Sequence, residues 1–194
     1  MEKTMKTRRL GKTNLQVSEI GFGGEWLERH LEEEGIELIR YASSKGINIL
    51  DCWMADPKSR DVIGKGIKEN RESWYIQGHI GSTWKDGQYF RTRDMAYVRP
   101  AFEDLLKRLQ TDYIDIYYTH WQTPDFSLYP LEETMDTLLQ LKKEGKIRAI
   151  GASNVTAKII EKYCSLGQLD VIQEKYSLLD THIADELLPV CQKH

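Results

Sequence analysis

Five apolar runs in this chain each end in a polar tip: Leu50-Asp51, Gly78-His79, Thr119-His120, Ala152-Ser153-Asn154 and Ile172-Gln173-Glu174. A helix-like stretch comes after each run. In a parallel β/α barrel the strands open their carboxyl ends on one face, and chemistry is assembled there from residues far apart in sequence. Asp51, His79 and His120 end three successive strands of this kind, so their side chains are expected to converge over one mouth. A carboxylate with two imidazoles can move protons near neutral pH or hold a metal ion. Taken one at a time, each also has a plain structural use: a strand-end Asp caps the next segment of chain, and a strand-end His can be a satisfied structural histidine.

The elements that carry these tips alternate regularly. Residues 6–18 read as a hairpin turning at Gly11-Lys-Thr-Asn14, and Glu19 to Gly23 as a first buried strand closed by Gly23-Gly24. Leu31 to Lys45 spaces Ile36, Leu38, Ile39 and Ala42 as one helix face, and Gly46 stops it. Further strands are expected at 47–50, 74–77, 113–118, 146–150 and 171–172. Helices are expected at 59–70, at 131–143, at 156–166 and at 183–193. Another runs from an Asp94 cap to Leu109, with Val98, Phe102, Leu105, Leu106 and Leu109 facing the core. Residues 80–92 read as a long loop over the open face. Six strand–helix units without a Pro/Gly/Ser linker imply one domain, residues 1–194, around a parallel sheet.

Bulk composition narrows the function classes. The 194 residues are 40% apolar and 29% charged with a formal net charge of −3, which gives no drive toward nucleic acid. No run approaches the roughly 18 apolar residues of a membrane span, and the charged N-terminus lacks an apolar signal core. Cys52, Cys164 and Cys191 are odd in number and widely spaced, which reads as reduced thiols and a cytoplasmic setting. An open doubly wound sheet shares the same alternation. It is disfavoured because Gly21-Phe-Gly-Gly24 lacks the third glycine of a dinucleotide fingerprint.

Longer passages carry a family likeness: Arg8-Arg-Leu-Gly-Lys-Thr-Asn-Leu-Gln-Val-Ser18, Gly46-Ile-Asn-Ile-Leu-Asp51, Leu105-Leu-Lys-Arg-Leu-Gln-Thr-Asp-Tyr-Ile-Asp115, Tyr118-Thr-His-Trp121 and Gly145-Lys-Ile-Arg-Ala-Ile-Gly-Ala-Ser-Asn154. With Gln173 and the Glu186-Leu-Leu-Pro189 run they resemble an aldo/keto reductase over nearly the whole chain. The resemblance implies a TIM (β/α)8-type barrel with an N-terminal β-hairpin. It also implies NADP, as NADPH, extended across the strand ends and a small carbonyl substrate reduced by hydride transfer. On the matching motifs Asp51 takes the aspartate position and His120 the histidine position. Ser153 and Asn154 take the pair that holds the nicotinamide amide, and Gln173 its other contact. Gly23 and Gly24 fall on the cofactor side.

Two departures bear on the chemistry. The family's tyrosine falls at Asp56, and its lysine at His79. Hydride delivery builds negative charge on the substrate oxygen, which needs a positioned proton donor. His79 as an imidazolium is preferred over a protonated Asp56 or Tyr89, because an imidazole titrates near neutrality. Residues 77–93 resemble a divergent branch of the family. Trp53 is the aromatic residue nearest the missing tyrosine, and Trp26, Trp84 and Trp121 are candidates to line a substrate pocket. Arg91, Arg93 and Arg99 read as a surface cluster that could meet an anion. Glu32-Glu33-Glu34 and Lys142-Lys143 read as solvated helix faces.

The barrel pattern also stops about six units along. The expectation is an incomplete barrel with open edges at its first and sixth strands, weakened or inactive as a reductase. It would be a fragment, a chain that pairs with another copy through those edges, or a rearranged fold. A self-associating scaffold is therefore one alternative. A barrel hydrolase is another, with Asp51, His79, His120 and Glu174, joined by Glu25, around a metal ion.

Overall fold

A computed structural model of the chain describes residues 5–52, 56–80, 82–85, 87–120 and 130–194, leaving aside the side chains of 82–85, 89–91 and 120. Strands β1 (Thr7–Arg9) and β2 (Gln16–Ser18) form the expected hairpin. Then come β3 (Phe22–Gly23), α1 (Glu32–Ser44), β4 (Ile49–Asp51), α2 (Pro57–Ile67) and β5 (Tyr75–Ile80). They are followed by β6 (Ser82–Lys85), β7 (Gln88–Arg91), α3 (Met95–Leu109), β8 (Ile114–His120), α4 (Leu131–Lys143) and β9 (Ile147–Ser153). The chain continues through α5 (Ala157–Leu166), β10 (Val171–Gln173), α6 (Ile183–Glu186) and α7 (Leu188–Lys193).

Six strands pair side by side in the order β10-β9-β8-β5-β4-β3, and every neighbouring pair is parallel. This is the anticipated partial (β/α) barrel: a curled parallel sheet with helices outside. Among the described residues it ends at β3 on one side and β10 on the other.

Inside the curl, Leu15 and Val17 of the hairpin pack with Ile116, Tyr118, Ala149 and Val171. The hairpin therefore plugs one end of the sheet, the end away from the polar tips. Asn48 ties it down: its Oδ1 accepts from Ser18 N at 2.7 Å, and its Nδ2 donates to Gln16 O at 2.8 Å. A second, larger core lies between the sheet and helices α1 to α5. The α3 face is buried as its spacing predicts, and Asp94 caps the helix by accepting from Ala96 N at 2.9 Å, a contact typically worth ~1 kcal/mol.

Several element readings need correction. The 80–92 stretch is not a plain loop but contains the antiparallel β6–β7 pair, Ser82↔Arg91 to Lys85↔Gln88. Gly87, between the two strands, has φ 74°, and the sequence there reads Asp-Gly, the strongest short hairpin signal. Helix α2 starts two residues earlier than expected because Asp56 caps it and Pro57 takes the first turn. It gives way to a tighter helical turn, Lys68–Ser73, in which Asn70 is non-helical at φ −142°, ψ 35°. The last helix is split at Leu187, two residues before Pro189, which has no N–H to continue the ladder. On α1, Ile39 and Ala42 are buried, but Leu38 stays 49% exposed and does not join the core.

Candidate active site

The strand register sets the site. Gly23 pairs with Asp51, and Asp51 with Gln77. His79 lies opposite Tyr118, and Tyr118 opposite Gly151. Ser153 lies opposite both His120 and Gln173. Side chains alternate across a strand, so the inward positions of β5 (Tyr75, Gln77, His79) and β8 (Ile116, Tyr118) stack in layers from the hairpin plug toward the tips.

Of the three strand-end residues, Asp51 and His79 lie together. His79 Nε2 lies 3.3 Å from Asp51 Oδ1, with the imidazole 2% exposed and the carboxylate 22%. Asp51 Oδ2 accepts from Gln173 Nε2 at 2.9 Å, which brings a sixth-strand tip into the same cluster. The Asp51 charge is felt nearby: burial first, then Glu28 and Asp51, raise the Glu25 carboxyl above its ordinary range. Gly24 N donates to Asp51 O at 2.7 Å, and a Cβ on Gly24 would come within 2.9 Å of that oxygen. Close backbone approach therefore requires glycine there, whereas a Cβ on Gly23 would meet nothing within 4 Å.

Ser153 and Asn154 close β9 as anticipated. Ser153 is buried, its hydroxyl donating to Thr119 O at 3.4 Å. Asn154 is exposed in the left-handed region at φ 54°, its N–H donating to Gln173 O at 3.3 Å. Asparagine adopts this region more readily than other non-glycine residues. Glu174 is drawn aside: its Oε1 accepts from Val155 N at 2.6 Å, while burial raises its carboxyl. Asp56 Oδ1 accepts from Lys58 N at 2.8 Å as the cap of α2.

The His120 backbone ends β8 beside Ser153, but its side chain lies outside the described residues, as do Trp53, Trp121 and the side chains of Trp84, Tyr89 and Arg91. The surface reading of the arginines fails at Arg93, while Arg99 stays exposed. Arg93 is 1% exposed, and Arg99 pairs with Glu144 at 2.8 Å. Trp26 sits at φ 77° with the Arg29 guanidinium 3.6 Å from its ring centroid. Lys142 is not merely solvated but pairs with Asp170 at 3.0 Å. Among the described residues no group of three or more His, Cys, Asp or Glu side chains is arranged to hold a metal ion. A cleft of about 610 Å³ beside α2 and α3 includes none of Asp51, His79 and Gln173 in its lining.

Sequence reasoning missed Gln77, Tyr118 and Gly151. The Tyr118 ring stacks on His79 with centroids 4.9 Å apart and planes at 16°. Its hydroxyl accepts from Gln77 Nε2 at 2.8 Å. The available signal was the inward alternation on β5 and β8, which needs the register to be read.

The sequence pattern of the Aldo/keto reductase family matches residues 19–194. The chain belongs to the aldo/keto reductase family. It is 36% identical over 208 aligned positions to an NADH-specific methylglyoxal reductase of Escherichia coli K12, covering 97% of this chain and 64% of that protein. Among solved structures it is similar to the holo form of aldo-keto reductase AKR11C1 from Bacillus halodurans. The TM-score is 0.87 at 31% identity, over 98% of this chain and 63% of that one. It is also similar to an aldo/keto reductase from Klebsiella pneumoniae in complex with NADP and acetate, with a TM-score of 0.79 at 28% identity. That match covers 98% of this chain and 65% of the other. This aldo/keto reductase chain thus spans less than two thirds of the length of each of these relatives.

Proposed function

We propose that the strand-end mouth serves an NAD(P)H-dependent oxidoreductase that reduces a small aldehyde or ketone. The observation that carries this reading is the Asp51–His79 contact at 3.3 Å, tied through Asp51 Oδ2 to Gln173. Family membership supports it, as does the relatives' use of nicotinamide cofactors.

The donor set suits the carboxamide end of such a cofactor. A hydroxyl and two amides, on Ser153, Asn154 and Gln173, sit on adjacent strand ends and can both donate to and accept from an amide. When bound, a reduced nicotinamide supplies the hydride. The chain's own residues supply the proton. His79 holds it in a dry position, and Asp51, the more exposed partner, passes it toward the mouth where the nascent alkoxide forms. Asp56 is the weaker donor candidate because its carboxylate already accepts the capping hydrogen bond of α2. His120 is assigned by its strand end alone to orienting the carbonyl.

The test is a titration of the full chain with NADPH and with NADH, followed by tryptophan fluorescence and by turnover of an activated benzaldehyde. Saturable binding and consumption of reduced cofactor are expected. No binding by the folded chain at millimolar cofactor would overturn the reading.

A further inference from the structure

We infer that Tyr118 is a positioning residue, whose ring holds the His79 imidazole edge-on to the Asp51 carboxylate. The inference rests on the reductase reading and adds a residue to it. Three parallel strands each supply one part of the clamp. On β8 the phenol ring covers one face of the imidazole, 4.9 Å between centroids and 16° from parallel. On β5 the Gln77 amide donates to the phenol oxygen at 2.8 Å, so the buried hydroxyl is satisfied where the ring packs. On β9 Gly151 makes room for it: a Cβ there would fall 2.4 Å from Tyr118 Cδ1 and 2.6 Å from Cε1.

The ring is 1% exposed. Its neighbour's Nε2 then lies 3.3 Å from Asp51 Oδ1. A histidine on a strand end can swing about two side-chain torsions. Without the stack, rotation would carry the imidazole edge away from the carboxylate and break the proton couple. The phenol itself is a poor proton donor, since burial pushes its hydroxyl well above the ordinary tyrosine range. Its role is therefore carried by the ring rather than by the hydroxyl.

The experiment uses the full chain with ¹³C-labelled histidine, the His79 ring signals being assigned with His79→Gln. Stacking places the His79 ring protons in the Tyr118 ring current, so they resonate upfield. Tyr118→Phe is expected to keep that shift, with kcat within about twofold of the parent because the ring stays in place. Tyr118→Leu is expected to lose the shift and to lower kcat by about 10- to 100-fold with KM little changed, the cost of a misplaced catalytic group. Should the leucine variant fail to fold, Gly151→Ala decides, since its methyl must displace the ring. Moved His79 signals support the inference, and unmoved ones overturn it. Unaltered His79 shifts in folded Tyr118→Leu overturn it as well, and so does a Tyr118→Phe loss as large as that of leucine. A chain that reduces no aldehyde yet shows the tyrosine-dependent shift rejects the reductase reading and leaves the clamp standing.

Discussion

Gln173 donates its side-chain amide to Asp51 across 2.9 Å, although their strands stand four places apart in the sheet order. In a flat sheet four strand spacings would separate them by roughly 19 Å. The bond therefore reports the curl of the sheet directly: the sixth strand comes round to face the second. It also divides the labour of one carboxylate. Oδ2 serves the sheet's far edge, and Oδ1 faces the His79 imidazole.

Removing that cross-mouth bond should be felt in stability as well as in binding. Gln173→Leu deletes a donor to a charged, partly buried acceptor, and is expected to cost about 1–2 kcal/mol. The check is the urea midpoint, with an unchanged m value showing that the folded states remain comparable. On the proposed function the same variant binds nicotinamide cofactor more weakly. A leucine variant as stable as the parent would mean that the bond is not held in solution.

Asp51→Asn keeps the size and the accepting oxygen but removes the charge that faces His79. Turnover of the activated aldehyde is expected to fall by at least about 100-fold, the lower range for loss of a general acid–base group. The melting temperature should stay close to that of the parent, because Gln173 still finds an oxygen to bond. A variant with parental kcat would remove Asp51 from the chemistry.

How far the site was legible depends on what each residue needs in order to be seen. Asp51, His79 and Gln173 stand at strand ends, so recognising strands was enough to place them on one face. Gln77 and Tyr118 are buried within strands, and their meeting depends on the Gln77↔Ile116 and His79↔Tyr118 register, which a single sequence does not state. The β6–β7 pair is legible through Asp86-Gly87, whereas the length of the segment alone suggests a loop. Leu38 obeys the helical spacing yet stays exposed, because α1 turns its Gly35, Ile36, Ile39 and Ala42 side to the core and Leu38 lies off that face. Asp115 was hidden in an apolar, aromatic run, where nothing local shows that two arginines reach it.

Asp115 gives a prediction at the opposite end of the sheet. It is 0% exposed. Its Oδ2 takes Arg71 Nη2 and Ile76 N, each at 2.9 Å, and its Oδ1 takes Arg148 Nη1 at 2.8 Å. Asp115→Ala strands the Arg71 guanidinium, whose side chain is 12% exposed, and should cost about 3–5 kcal/mol. Arg148→Met should cost less than about 1 kcal/mol, because that side chain is 51% exposed and water screens it. Denaturant unfolding of the two variants checks the order. Equal losses would show that Arg148, not burial, governs the cluster.

The pH dependence has its clearest local source in Asp180 and His182, beyond β10. The His182 and Lys175 hydrogen bonds hold the Asp180 carboxyl down at about 2, below its ordinary 3.8. The Asp180 bond in turn raises the His182 imidazole above its ordinary 6.5. Asp180, with a lowered folded value, contributes stability that is present above pH 3.8 and lost as pH falls through about 2. His182, with a raised folded value, contributes stability that is complete below pH 6.5 and lost as pH rises through the folded value. The pair is therefore at full strength between pH 3.8 and 6.5. Both groups face solvent, so added salt should weaken the coupling. An NMR titration of the His182 ring should give a midpoint above 6.5, and Asp180→Asn should bring it down. An unchanged midpoint in that variant would show that the ion pair does not persist in solution.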